Sequence, residues 1–198
     1  FIPVSEFGSD NATRYSLADV ETGVNYVLII NNNAGLWGYN IGDTVEFVSK
    51  NPYRIVVTGR VKHYISAFGE HVIGKEVEDA MLRACQQVHA KVSEFTVAPQ
   101  INPGNDEKPY HEWFIEFDEM PVDLKKFEAC LDAEMVRQNI YYEDLITGAI
   151  LQSLKLRVLK KDAFRNYMKS QGKLGGQNKV PRLSNDRKLA DELKDFII

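Results

Sequence analysis

GKEVEDAMLRACQQVHAKVSEFTVAPQINPGNDEKPYHEWFIEFD, residues 74–118, carries two kinds of periodicity and the break between them. Val77, Met81, Ala84, Cys85 and Val88 recur at spacings of three and four. One apolar stripe of that kind predicts a helix over about 74–89. Lys91–Gln100 then reads as a strand. So does Tyr110–Asp118, where Trp113, Ile115 and Phe117 alternate with Glu112, Phe114 and Glu116. The stretch NPGNDEKP between them is polar and full of breakers, so it reads as an exposed loop.

The pattern continues in both directions. Pro121 is expected to open a second helix, because proline in the first turn forfeits no needed hydrogen bond. Leu124, Phe127, Leu131 and Met135 line its core face. Leu154, Leu156 and Val158 give another strand, and a short helix is expected around Phe164–Met168. After a glycine-rich loop, Ser184 or Asn185 is expected to cap a last helix carrying Leu189, Leu193 and Ile197. Toward the start, VNYVLIIN at 24–31 is a short apolar strand following Gly23. Val45 and Phe47, then Tyr53, Ile55 and Val57, flank a hairpin turn set by Asn51-Pro52. The fold class is therefore α/β (α+β), a small mixed sheet covered by helices. A β-rich tail of a larger N-terminal domain precedes it. Residues 1–60 show no complete core of their own, and residues 61–198 form the small C-terminal domain, the join lying near Gly59–Lys62.

Bulk properties narrow the function. The chain has 198 residues, 44% of them hydrophobic, with a net charge of −4. This is globular composition, and the charge argues against a nucleic-acid face. No run of about 18 apolar residues exists, so no membrane partner is expected. No basic-then-apolar leader is visible either, and the expected location is cytoplasmic. The chain begins with Phe1 and not methionine, so it reads as a piece of something longer. Cys85 and Cys130 lie in helical patterns and read as buried small hydrophobes, ahead of a disulfide or metal pair. Four scattered histidines show no ligand spacing, so no metal site is expected.

Three stretches can carry chemistry. In Tyr39-Asn40-Ile41-Gly42-Asp43, a carboxylate beside glycine at the mouth of a strand can accept two hydrogen bonds from a diol. Its plain alternative is a turn aspartate satisfying its own backbone. In Thr58–Glu70, Arg60 and Lys62 suit a phosphate, or simply face solvent. In Gly172–Arg182, lysines on a glycine-rich loop suit an anionic transition state, or the loop is merely solvated. It is not a P-loop, since GxxxxGK[ST] is missing. Trp37, Tyr64 and Phe68 read as core aromatics, ahead of a place at a domain interface.

Taken together, these stretches resemble a known family. The carrying residues are Ala34-Gly35-Leu36-Trp37, Tyr39–Val45, Thr58-Gly59-Arg60, Phe68-Gly69-Glu70 and Gln177–Arg182, in order across most of the chain. They are similar to the C-terminal part of the auxin-responsive Gretchen Hagen family of acyl-acid–amido synthetases, bacterial type. That family sits in the adenylate-forming superfamily with acyl-CoA synthetases and luciferase. The resemblance implies a ligase that activates a carboxylic acid with ATP and Mg2+ to an acyl-adenylate. An amine, usually an amino acid, then attacks and AMP leaves. It implies that Asp43 binds the ribose hydroxyls and that Tyr39 opens the same nucleotide motif. It implies that Arg60 meets ribose or phosphate just before a hinge about which the small domain rotates. Lys179 matches the adenylation lysine, with Lys173 as a nearby competitor.

The chain departs from the family at three positions: Gly38 stands where the family carries arginine, Asn40 replaces a second arginine, and Lys62 stands at a hinge position that is often aspartate. The family's phosphate loop and acyl pocket belong to an upstream N-terminal domain, the expected intramolecular partner. The 198 residues alone are expected to be inactive. Two alternatives stay open: a non-catalytic nucleotide-binding or scaffold homologue with a decayed site, and a generic interaction domain.

Overall fold

The computed structural model describes residues 1–61, 64–104, 107–173 and 179–198. By its internal contacts the chain divides into two units, Phe1–Tyr64 with Ile73–Lys75, and Ile65–Val72 with Glu76–Ile198.

The first unit is a four-stranded antiparallel sheet in the order β1 (Ile2–Pro3), β2 (Asn25–Ile30), β3 (Tyr39–Lys50) and β4 (Tyr53–Arg60). The turn between β3 and β4 is at Asn51–Pro52, as the sequence suggests. Unlike the expectation from sequence, this unit has a core of its own. Val20, Tyr26, Val45 and Phe47 are buried, with Phe1, Tyr15, Val24 and Leu28 packed against them. Much of that core is aromatic, joined edge to face: Tyr26 to Phe47 at 6.2 Å and Phe1 to Phe47 at 5.0 Å. Its members come from segments far apart in sequence, so no single window displays the core.

The division of the chain falls within a two-stranded ribbon, β5 (Tyr64–Ile65) with β6 (Val72–Ile73), and α1 (Gly74–Val88) belongs to the second unit from Glu76 onward. The main sheet of that unit has the order β7 (Lys91–Gln100), β8 (Tyr110–Glu119) and β9 (Lys155–Val158). β7 and β8 are antiparallel and β8 and β9 parallel, so the sheet is mixed. The parallel return requires a long crossover, supplied by α2 (Leu124–Gln138) and α3 (Ile140–Thr147). Then follow α4 (Ala163–Ser170) and α5 (Lys188–Glu192).

Both faces of β8 are covered. Phe114 packs with Ala163, Phe164, Leu189 and Leu193 from α4, α5 and the turn that follows. On the other side Phe117 meets Phe127 of α2, ring to ring at 5.3 Å. The glutamates alternating through β8 are therefore not a solvent face. Glu112 is 3% exposed and Glu116 7% exposed, and each is matched. Glu112 takes Arg157 at 2.7 Å and Arg187 at 2.6 Å. Glu116 accepts the backbone N–H groups of Asp162 and Phe164 at the start of α4. A carboxylate there satisfies donors that the helix leaves open.

Several sequence expectations need correcting. α2 starts at Leu124, not at Pro121, because the Asp123 carboxylate accepts the Lys126 N–H and fixes the helix start. The last helix is not capped by Ser184 or Asn185; α5 follows Arg187, which makes no side-chain cap bond. Asn185 Oδ1 instead accepts the Ser66 N–H, and Ser184 Oγ accepts the Asp186 N–H. Trp37 is 83% exposed, not a core residue, and Phe68 is half-buried. Cys85 and Cys130 are unpaired and only half-buried.

Candidate functional site

The Tyr39–Asp43 motif does not sit at a strand mouth. It is the first part of the twelve-residue strand β3. Regular pairing fails there. Val27 faces Thr44 and Ile29 faces Asn40, so Ile41, Gly42 and Asp43 all stand opposite Leu28. Such a bulge bends the strand and re-aims its side chains. Gly42 adopts φ +87°, a conformation that side chains strain to reach. The Asn40 side-chain oxygen accepts the Gly42 N–H at 2.8 Å, and Gly42 O accepts the Val61 N–H at 2.9 Å. Asn40 is thus committed to holding the bulge. Gly38, where the family resemblance would place arginine, has φ +61° and donates its N–H to Asn31 Oδ1 at 2.7 Å. A glycine suits that left-handed turn.

Across the ladder Asp43 pairs with Arg60, Nε to Oδ1 at 3.3 Å. The arginine side chain is 64% exposed and the aspartate 26%. An ion pair this open contributes little to stability, so its partners are available to a ligand at small cost. Immediately below lies a buried polar latch. Thr58 Oγ1 is 2.6 Å from Asn25 Oδ1 and 3.0 Å from Thr44 Oγ1. Thr44 and Thr58 are almost fully covered. A second register shift, between Thr44 and Val45, leaves Thr58 as the extra residue of β4. Asp43 and Arg60 are therefore mounted between two irregularities and tied to the sheet interior. Tyr39, 51% exposed, opens the same strand.

In the second unit, Lys179 is exposed, as is Lys173, and neither ammonium group makes a hydrogen bond or ion pair among the described residues. Lys62 and the residues Gln177 and Asn178 lie outside the described residues.

One cluster has a single member, Glu70, in a stretch that the sequence brings forward as chemistry. The Phe68-Gly69-Glu70 stretch turns Glu70 inward, 0% exposed, against His111 at 1%. Glu70 Oε1 and His111 Nε2 are 2.9 Å apart, and Glu70 Oε2 accepts the Phe68 N–H at 2.8 Å. Burial pushes the Glu70 carboxyl up, but the hydrogen bond and charge of His111 and the backbone donors outweigh it, and the net shift is down. Asn139 joins in, donating from Nδ2 to the Glu70 carbonyl at 3.0 Å. His111 also lies against the Tyr142 ring at 5.1 Å. Tyr142 donates its hydroxyl to Asp132 at 2.8 Å, and burial holds its phenol well above the ordinary value. His111 and Asn139 reach Glu70 from 41 and 69 positions away, a gathering that no local pattern in the sequence displays.

Among the described residues, no three His, Cys, Asp or Glu side chains gather as a metal site, and no helix is long and apolar enough to cross a membrane.

Known proteins put this geometry in context. Residues 75–188 match the GH3 family C-terminal domain, and residues 1–60 match the GH3 family central domain. Over 193 residues the chain is 28% identical to indole-3-acetic acid-amido synthetase GH3.3 of Arabidopsis thaliana, covering 92% of this chain and 32% of that protein. Indole-3-acetic acid-amido synthetase GH3.4 of the same plant is 25% identical over 187 residues, 88% of this chain and 31% of the relative. The solved structure of GH3.15 acyl acid amido synthetase has the same fold, with a TM-score of 0.70 at 18% identity, over 93% of this chain and 36% of that one. GH3.15 has also been solved in complex with 2,4-DB. The chain spans about a third of the length of the curated relatives it matches. The family match covers more than half of the chain, and the chain belongs to the GH3 family.

Proposed function

We propose that this chain is the C-terminal part of an ATP-dependent acyl-acid–amido synthetase. Such a ligase joins a carboxylic acid to an amine, such as an amino acid, through an acyl-adenylate. The observation that carries the reading is the Asp43–Arg60 pair, mounted on the Gly42 bulge in a chain of GH3 membership. In this reading residues 1–60 are the end of the large adenylating domain and residues 61–198 are the small C-terminal domain. The Asp43 carboxylate accepts both ribose hydroxyls, a charge-assisted pair of hydrogen bonds. Gly42 lets the strand backbone approach the nucleotide. Arg60 leaves Asp43 for ribose or phosphate, and Tyr39 flanks the same nucleotide. Lys179, or Lys173 in its place, neutralises charge developing at the transferring phosphate. Mg2+ arrives with the ATP phosphates, for which the described residues supply no carboxylate cluster. The 198 residues alone do not adenylate, because the phosphate loop and acyl pocket belong to an upstream domain. The protein is cytoplasmic.

A second reading has one observation in its favour. Asn40 is spent on the Gly42 N–H, and Gly38 has no side chain, so two charges of the resembling motif are gone. A homologue that binds nucleotide without turning it over would carry such losses. Carboxylate-dependent exchange of labelled pyrophosphate into ATP separates the two, using the full-length protein with a panel of acids and Asp43→Ala and Lys179→Ala beside it. Exchange with one acid, lost in both variants, is the expected outcome. ATP binding with no exchange for any acid establishes the second reading.

A further inference from the structure

The loop between β5 and β6 has an inner side and an outer side. The inner side is Glu70, anchored to His111 and Asn139 as described above. The outer side carries Ser66 and His71, whose Oγ and Nδ1 are 3.0 Å apart. His71 is exposed, and its backbone has φ +48°, rare for a residue with a side chain. Such strain persists only where the surroundings hold it. Here the neighbour Glu70 is pinned in the core, and the far end of the pair is pinned as well, since Asn185 Oδ1 accepts the Ser66 N–H at 3.0 Å. The Tyr141 ring stands edge-on to the imidazole at 6.3 Å and is itself 58% exposed. An imidazole is thus held in one orientation, with an aromatic wall beside it. When its Nδ1–H is donated to Ser66, the lone pair is on Nε2, and among the described residues none takes it. A buried carboxylate–imidazole contact, a strained backbone and two fixed ends are much structure for a solvated turn. They are what a positioned base requires.

We infer that His71 is the general base of the second half-reaction, taking a proton from the incoming amine, with Ser66 setting its tautomer. The inference rests on the ligase reading above. An amino acid arrives as an ammonium ion, which has no lone pair to attack with. His71 Nε2 accepts one ammonium proton. The freed nitrogen pair forms the C–N bond at the acyl carbonyl. The C–O bond to the phosphate breaks, and AMP leaves with that electron pair. The nitrogen's second surplus proton passes to water as the tetrahedral adduct collapses. Positioned bases of this kind contribute about 10²–10⁴-fold.

The test uses the full-length protein, with His71→Ala, His71→Gln and Ser66→Ala. Three rates are compared: pyrophosphate exchange, amide formation with an amino acid, and hydroxamate formation with hydroxylamine, which is already unprotonated at neutral pH. The expected result is a fall of roughly 100-fold in amide formation relative to exchange in both His71 variants. Hydroxamate formation should be spared, and added imidazole should partly restore the amide rate in His71→Ala. Ser66→Ala should show a smaller loss with the same spared hydroxamate. Equal loss with amino acid and hydroxylamine, or no loss with either, overturns the assignment. Absence of exchange in the unsubstituted protein would instead strike at the ligase reading itself.

Discussion

At the residue scale, the nucleotide assignment turns on Asp43. Its carboxylate is three-quarters covered, and its single cross-strand partner is a mostly exposed guanidinium. If the carboxylate accepts ribose hydroxyls, Asp43→Ala removes charge-assisted hydrogen bonds worth about 1.5–3 kcal/mol each. With two such bonds lost in the full-length protein, kcat/KM for ATP should then fall about 100- to 10⁴-fold. 2′-Deoxy-ATP gives a sharper check. The unsubstituted protein should discriminate against it, and Asp43→Ala should use ATP and 2′-deoxy-ATP almost equally. Retained discrimination in the variant would assign the hydroxyl to another residue. The role of Asp43 was suggested by type and by its glycine neighbour. The reason for Asn40 was not legible, because it lies in a local hydrogen bond to Gly42 that exists only once the bulge has formed.

At the scale of elements, the bulge and the caps decide where strands and helices begin and end. Periodicity revealed α1, β7 and β8 nearly to the residue, since each is long and one of its faces is apolar. It did not reveal α3. Its eight residues IYYEDLIT hold no sustained stripe, and it begins because Asn139 both ends α2 and caps the next helix through the Tyr142 N–H. It did not reveal the first half of β3 either, where three residues opposite one break the alternation that signals a strand. Two substitutions measure these local devices. Gly42→Ala meets no atom within 4 Å but must keep φ +87°, which should cost about 1–2 kcal/mol. The loss should fall on the first unit, read as faster amide exchange in β2, β3 and β4. Asp123→Ala removes the α2 cap and should cost about 1 kcal/mol, read as lost protection in the first turn of α2. Unchanged exchange at Gly42→Ala would mean that the strand relaxes out of the bulge without penalty.

At the scale of the whole molecule, the second unit is tied together through a titratable centre. Glu70 lies in the loop before β6, His111 in β8, and Asn139 at the joint of α2 and α3. The folded Glu70 carboxyl sits below its ordinary value near 4.5, so the folded state binds its proton less readily than the unfolded chain does. Its contribution is therefore complete above that ordinary value and is lost as pH falls through the lower folded one. Trp113, fully buried against Phe95, reports on this unit, while Trp37 is largely exposed and can be replaced by phenylalanine to leave one signal. In a Trp37→Phe background, the urea midpoint should decline steeply below about pH 4.5. Glu70→Gln keeps the side chain's shape and its oxygen acceptor but titrates no proton. It should lower the midpoint at neutral pH and flatten the decline. Glu70→Ala leaves His111 buried without its partner and should cost more, about 3–5 kcal/mol. Parallel acid curves for Glu70→Gln and the parent would show that other carboxylates carry the acid sensitivity. A flattened curve would tie the stability of the fold to the same residue that pins the His71 loop.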